Sequence, residues 1–598
     1  MALFSLHLPA ERSAVAKSAD SARLHPGFLF VAATLASFAL SWPHLLRIWH
    51  TGTFFDTDDA MRAVQVRDWL AGQSWFDLTA HRIGQHGLLM HWSRVVDVPL
   101  GALMRLFGSF TDPATAERLT RIVFPLALQA ALIAAVMFAA RVLCGMAAVA
   151  PAAFLATTGC IQFGQFVAGR IDHHAPQITL LVLMAGLAAD VLLHQRARSA
   201  ALAAVCMAGS LAISLENLPF IAVTIAALAL AWGFGGASYG RVLRLFGLSL
   251  GASALLAFAA TVPPSRYFET AIDAYSLPHL LAVTLGGLTL AIFPTALPRM
   301  RLWARLVALI VGGAGVMAIV LLCCPAVLAS PFANIDPFLH DIWLTHVSEA
   351  QPLTTVLHLH PQAATLILGP LLAGLAAILV AAIREQGARR GTWLFLGALV
   401  AAAVAGSVWE IRILGSGAPI ALFGGVYAWT AAQHLGSRLP LRALILVPFA
   451  PMAWIVVPVP DEEPAVAQST DAAALCREAE TLTPLAALGK GIIFAPIDSG
   501  SHLLATTDLT VLAAPYHRNN VENRLVVEGF AAPPASAEEI VKASGARYVA
   551  LCPGQVQGDV LRDRYPDGLA AALLNGRTPN WLASVDLPGT RYKVFAVR

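Results

Sequence analysis

Charge is what this sequence has least of. Only 13% of its 598 residues are Asp, Glu, Lys or Arg, against about a quarter in an ordinary soluble protein, while 57% are hydrophobic and the mean hydropathy is +0.68. Such a chain cannot cover a water-facing surface and reads as a polytopic membrane protein. No Lys/Arg-rich run is present and the net charge is only +3, which argues against a nucleic-acid partner. Cysteine is scarce too. Cys144, Cys160, Cys206, Cys323 and Cys324 lie in or beside apolar runs without metal-ligand spacing and read as packing residues. Cys476 and Cys552 fall in the polar C-terminal part, where an oxidising compartment permits them to pair. Also missing is a cleavable leader: the first 25 residues carry Arg12, Lys17 and Arg23 without an apolar core, and the run from Gly27 lacks a small-residue cleavage pattern. It is read as a retained first helix.

Long apolar runs are plentiful. A bilayer core takes roughly 20 residues per helix, which predicts thirteen spans near 27–47, 120–143, 146–166, 175–194, 199–214, 217–234, 243–262, 279–297, 304–326, 361–383, 391–409, 412–432 and 441–458. Alternate connections are basic: "HQRARS" (194–199), "YGRVLR" (239–244), "PRMRLWAR" (298–305), "REQGARR" (384–390) and "GSRLPLR" (436–442). The connections between them are not, and the stretch from Pro331 to Gln362 has no Lys or Arg. The positive-inside rule then puts residues 1–26 in the cytoplasm, a transmembrane unit at 27–460, and residues 461–598 outside. From Asp461 the texture changes to short strands and helices such as "GIIFAP" and "RYVALCPG", a compact α/β domain after the Pro-rich linker "PVPDEEPAVAQS".

On the outer side three segments gather acids and imidazoles. "FFDTDDAMR" follows the first span and holds Asp56, Asp58, Asp59 and Arg62. "GRIDHHAPQ" places Asp172, His173 and His174 where a helix leaves the bilayer, an expensive position for ionisable groups without partners or a function. "THVSEAQP" carries Glu349 in a connection with no basic residue. Oxygen and nitrogen donors of this kind suit Mn²⁺ or Mg²⁺, and the absence of cysteine ligands argues against structural zinc.

At these residues the sequence resembles the catalytic subunit of oligosaccharyltransferases, of the single-subunit bacterial and archaeal type, in the GT-C class of polyprenyl-linked-sugar transferases. "DTDDAMR" has the Asp-to-Arg spacing of that family's first-loop motif, and "GRIDHH" is similar to its archaeal second-loop motif. "HVSEAQP" and "WEIRILGSGAP" (409–419) resemble its later Glu-containing and Arg-containing segments, in family order. The resemblance covers roughly 27–458 and stops there: the family's Trp-Trp-Asp sequon motif is missing, the C-terminal region holding only Trp581, followed by Leu and Ala.

The resemblance implies a GT-C-like membrane domain with a periplasmic α/β domain and a divalent cation on Asp56, Asp172, His174 and Glu349. His173 is the alternative ligand, and Asp58 and Asp59 serve as acceptor base or as outer groups around the ion, or at least one of them is merely solvated. It also implies that Arg412 grips the donor phosphate; a snorkelling helix-end arginine is the ordinary alternative. Arg62 positions Asp56 or the donor, or makes a salt bridge within its loop. "MHWSRVVDVP" (90–99) is given no catalytic role, and Glu216 reads as a hydrogen-bonded helix-break residue. The implied activity is inverting transfer of a sugar or oligosaccharide from a polyprenyl-phosphate or -pyrophosphate donor to a periplasmic glycan, lipid or protein at a bacterial inner membrane. A transporter or flippase of lipid-linked glycans is the competing class.

Overall fold

The computed structural model describes residues 24–162, 164–297, 300–329, 335–432, 442–459 and 473–598. Residues 1–23, most of the expected linker (460–472), parts of the basic connections (298–299 and 433–441) and the side chain of Cys160 lie outside the described residues.

The chain enters through α1 (Pro26–Leu40) and α2 (Trp42–Thr51), an apolar pair bent by 53°. A long connection carries α3 (Thr57–Leu70), the two-stranded hairpin β1 (Thr79–Ala80) and β2 (Leu88–Leu89), and α4 (Asp97–Gly108). The bundle continues with α5 (Pro113–Cys144), α6 (Val149–Gln162), α7 (His174–His194), α8 (Ala197–Ile213), α9 (Leu218–Gly235), α10 (Ala237–Thr261), α11 (Leu277–Ala296) and α12 (Leu302–Cys323). A second long connection holds α13 (Pro337–Ile342) and α14 (Leu353–Leu359), and α15 (Pro361–Arg384), α16 (Gly387–Ser407) and α17 (Arg412–Ala431) complete the bundle.

Among the described residues nine helices are long and apolar enough to cross a bilayer, ten with the bent pair. The expected spans at 146–166 and 199–214 correspond to the shorter helices α6 and α8. In the thirteenth expected span, 441–458, the described residues hold two short 3₁₀ segments, Leu444–Phe449 and Pro451–Trp454, in place of one long α-helix. Pro448 and Pro451 each remove a backbone donor and disrupt a regular ladder. The segment still packs on the bundle, Phe449 against Gly425 of α17 and Trp454 against Gly369 of α15. Elsewhere glycines let helices meet backbone to backbone; a Cβ at Gly247 of α10 would stand 2.2 Å from the carbonyl of Gly287 on α11.

The C-terminal residues form a five-stranded sheet in the order β4 (Thr510–Val511), β3 (Ile492–Phe494), β5 (Tyr548–Leu551), β7 (Lys593–Val597), β6 (Leu582–Val585), parallel across β4-β3-β5 and antiparallel beyond. Val527, Phe530 and Val541 from its helices fill one face. Cys476 and Cys552 are joined by a disulfide. This sheet is tied to the first long connection: Ile83 bridges Val511 at its edge, and Arg67 donates to the Ala505 carbonyl at 2.6 Å. The connections after α2, α6, α8, α10, α12 and α16 therefore share one end of the bundle with the C-terminal region.

Candidate functional site

Each acidic segment is fixed by its own backbone. Gly52 ends α2 in the left-handed region (φ 69°), and Arg121 on α5 holds the turn by donating to the carbonyls of Gly52 and Thr53. Asp56 then caps α3, its Oδ1 accepting the N–H of Asp58 at 2.8 Å. Asp58 and Asp59 fill the first turn, where the helix dipole favours negative charge. The second segment turns at Gly169 (φ 101°), whose missing side chain makes room for Ile48.

The two segments meet around Arg170. Its guanidinium pairs with Asp56 and Asp172 and reaches Asp59 Oδ2 at 3.1 Å, over the ring of Phe55. Asp59 is fully buried, and its Oδ1 accepts the N–H groups of Ile171 (2.7 Å) and Asp172 (3.2 Å). Asp59 thus holds the loop that presents Asp172. Asp172 in turn accepts His174 N–H at 3.0 Å through Oδ1, and its Oδ2 lies 2.9 Å from His174 Nδ1. The His173 and His174 rings stack at 4.4 Å, and Glu216 Oε1 lies 3.1 Å from His173 Nε2 and 3.5 Å from His174 Nε2.

Glu216 reaches them because the break between α8 and α9 is pinned. Gln177 donates to the carbonyls of Ser210 (2.8 Å) and Ser214 (3.0 Å), and Asn217 donates to Gln177 Oε1 at 2.7 Å. On the opposite flank Arg412 donates from Nε to Glu410 Oε2 at 2.6 Å, and its Nη1 lies 3.8 Å from Glu349 Oε1.

A cavity of about 730 Å³ opens between these loops and the C-terminal region; Asp56, Asp58, His173, Glu216, Glu349 and Arg412 are among its walls. Asp172, His174 and Asp59 stand behind that wall, all buried. Arg62 is 1% exposed, donates to Asp97 Oδ1 at 2.8 Å and lies over Trp92. Of the two expectations for it, the salt bridge within its loop is the one observed, and it does not face the cavity as a donor-phosphate group would. Trp92, itself buried, backs the cavity against His173 and Tyr516.

The environments drive the acids apart. Burial pushes Asp58 well above the usual carboxylate range, helped by the charges of Asp56 and Glu349. Burial also raises Asp59, to about 8, against the pull of Arg170. For Asp56 and Asp172 burial works in the same direction, but Arg170 outweighs it and holds both below the usual range. Desolvation also raises the half-buried Glu216, but the two histidines outweigh it and hold it low. As to a metal, His174 Nε2 is buried without a hydrogen bond. An unpartnered imidazole nitrogen beside carboxylates fits a divalent cation.

No family model and no curated protein matches the chain. Solved structures do. The oligosaccharyltransferase AglB of Archaeoglobus fulgidus, in complex with an inhibitory peptide and a dolichol-phosphate, superposes with a TM-score of 0.64 at 15% identity, over 96% of this chain and 74% of that one. The chain has the fold of an oligosaccharyltransferase. An oligosaccharyltransferase of Archaeoglobus fulgidus tethered to an acceptor peptide with the NVT sequon gives 0.64 at 16% identity over 96% and 74%. Its complex with Zn and sulfate gives 0.59 at 17% identity over 88% and 68%.

Within this oligosaccharyltransferase fold, sequence reasoning missed Arg170, although it stands inside a motif already singled out. Its importance lies in three partners, two of them over a hundred positions away. The contact between Glu216 and the histidines was missed for the same reason; the signal was an acid at a helix break on the side where Asp172 emerges. Also missed was Asp273, clamped by Arg518 (2.6 and 2.7 Å) and His517 (2.6 Å) of the C-terminal region.

Proposed function

We propose that this chain is an integral-membrane glycosyltransferase that moves a sugar or oligosaccharide from a polyprenyl-phosphate or -pyrophosphate donor to an acceptor glycan, lipid or protein, on the periplasmic face of a bacterial inner membrane. The observation that carries this reading is the cavity itself: Asp56, Asp58 and Glu216 on its walls, Arg412 on its flank, at one end of a bundle of apolar helices. The archaeal enzyme of the same fold was solved with a dolichol-phosphate and with an acceptor peptide, which supports a lipid-linked donor and an acceptor here. Without a Trp-Trp-Asp motif, glycan and lipid acceptors are favoured over a sequon.

The reaction breaks the bond between the anomeric carbon and the donor phosphate oxygen, and forms a bond from that carbon to the acceptor; the phosphate leaves with the electron pair and takes up the proton the acceptor loses. Direct displacement inverts the anomeric centre. Glu410 orients Arg412 by its Nε edge, so the rest of the planar fork faces phosphate oxygens. Asp56, held ionised, accepts a hydrogen bond from the acceptor and aligns it. Asp58, pushed well above the usual carboxylate range by burial and by the charges of Asp56 and Glu349, donates one to the sugar or phosphate, a division of labour set by environment. A divalent cation, Mn²⁺ or Mg²⁺, supplies positive charge against the departing phosphate when bound. The resemblance implies Asp56, Asp172, His174 and Glu349 as the residues that would hold it.

The test is Asp56→Asn in membranes supplied with an extracted lipid-linked sugar pool. Transfer, read by mass spectrometry of the product, falls by ~10²-fold or more at normal expression, as when one electrostatic catalytic group is lost. Intact transfer with loss of lipid-linked substrate movement across the bilayer replaces the transferase by a transporter.

A further inference from the structure

The donors that converge are not the four that the resemblance implies. Asp56 and Asp172 both turn their Oδ2 atoms to Arg170, so a guanidinium already stands between them. Glu349 lies toward Arg412. What comes together is His173, His174 and Glu216, each offering one ligand atom within 4.8 Å of the others. Ligands held at 2.0–2.2 Å from one ion stand about 3 to 4 Å apart, and the two Nε2-to-Oε1 separations, 3.1 and 3.5 Å, fall in that range.

Three further observations point the same way. His173 and His174 are both more than nine-tenths buried, and His174 Nε2 has no hydrogen bond. Asp172 takes the other face of His174 at Nδ1, the carboxylate-to-imidazole arrangement that orients a ligating histidine. The Gln177–Asn217 network holds the Glu216 turn in place at no cost to the donors. Charge agrees: among the described residues the arginines paired with Asp56, Asp172, Glu349 and Glu410 are Arg170 and Arg412, and Glu216 pairs with the two imidazoles alone.

We infer that a divalent cation in this protein is held by His173, His174 and Glu216, with Arg170 as the resident cation of the aspartate pair. The inference rests on the transferase reading above and changes its ligands. Because His173 and Glu216 also line the cavity, a cation there is open to a substrate phosphate. Asp172 becomes a positioning residue, acting through His174.

The test uses full-length protein in lipid nanodiscs with Mn²⁺ or Co²⁺ alone as the probe. Binding is read by the loss of the free Mn²⁺ resonance signal and by the visible Co²⁺ spectrum, and folding by thermal melting. Wild type binds one ion with imidazole ligation. His173→Ala and Glu216→Gln weaken binding by more than the ~10–100-fold typical of losing an outer partner, and Asp172→Asn falls within that range. Glu216→Asp, which keeps the charge, binds more tightly than Glu216→Gln. Asp56→Asn shifts Kd by less than about 3-fold, since an outer-shell loss would exceed that. Loss of binding in Asp56→Asn with binding intact in Glu216→Gln overturns the inference and returns the ion to the aspartates. Wild-type protein that transfers sugar without binding either ion also overturns it, and leaves the transferase reading standing.

Discussion

A guanidinium shared by three carboxylates is exposed to the loss of any one partner. Removing Arg170 leaves the buried Asp59 and Asp172 and the partly exposed Asp56 facing one another, and breaking a buried ion pair from one side costs about 3–5 kcal/mol. Arg170→Ala is therefore expected to lower the thermal midpoint of purified protein sharply. Arg170→Lys should lose less, because a single ammonium keeps the charge but cannot bridge Asp56 and Asp172 as the planar fork does. Equal melting of both variants and wild type would remove Arg170 from the account. The acids themselves stood out in the sequence: Asp56 in a cluster of three, Asp172 where a helix leaves the bilayer, and Glu349 in a connection without a basic residue. Arg170 was not, since an arginine beside an acid reads as a local pair and nothing in "GRIDHH" announces Asp59 across 111 positions.

Helices and loops followed the apolar pattern where packing and hydropathy agree. α5, α7 and α10 lie where the 20-residue runs put them, whereas the last run, equally apolar, gives way to 3₁₀ turns because its prolines outrank its hydropathy. The C-terminal region is fastened to the loop between α10 and α11 through Asp273. Burial raises that carboxyl, but hydrogen bonds from His517 and Arg518 outweigh it and hold it well below its ordinary 3.8. A depressed carboxylate contributes fully above the ordinary value and loses its contribution as pH falls below it. Hydrogen exchange in residues 268–276 is expected to rise below about pH 4 and in Asp273→Asn at neutral pH; protection unchanged in both would show the clamp to be idle. The disulfide adds to the same region. Cys552→Ser should cost about 2–4 kcal/mol of stability, read by melting under non-reducing conditions, and no shift would assign the fold to the sheet and helices alone.

The whole molecule gathers the acidic segments around Asp56, Asp172, Glu216 and Glu349 at one end of an apolar bundle. Reporters fused after Arg198, Arg305 and Arg390 should appear cytoplasmic, and one after Gln351 or at the C-terminus external; a cytoplasmic C-terminal reporter would put the cavity on the wrong face. The alternation of basic connections is what predicts this sidedness, whereas the division between membrane unit and C-terminal domain was less legible, because Ile83 joins the sheet from a loop more than four hundred residues earlier. The central claim is transfer, and purified protein tests it most directly. Wild-type protein in nanodiscs is given a lipid-linked sugar pool with labelled glycan and an acceptor fraction, and the label is followed together with the free polyprenyl phosphate or pyrophosphate. The account predicts label in the acceptor with matching release of the lipid carrier, both reduced ~10²-fold or more in Asp56→Asn. Label that stays on the lipid in the presence of wild-type protein and acceptor would contradict it.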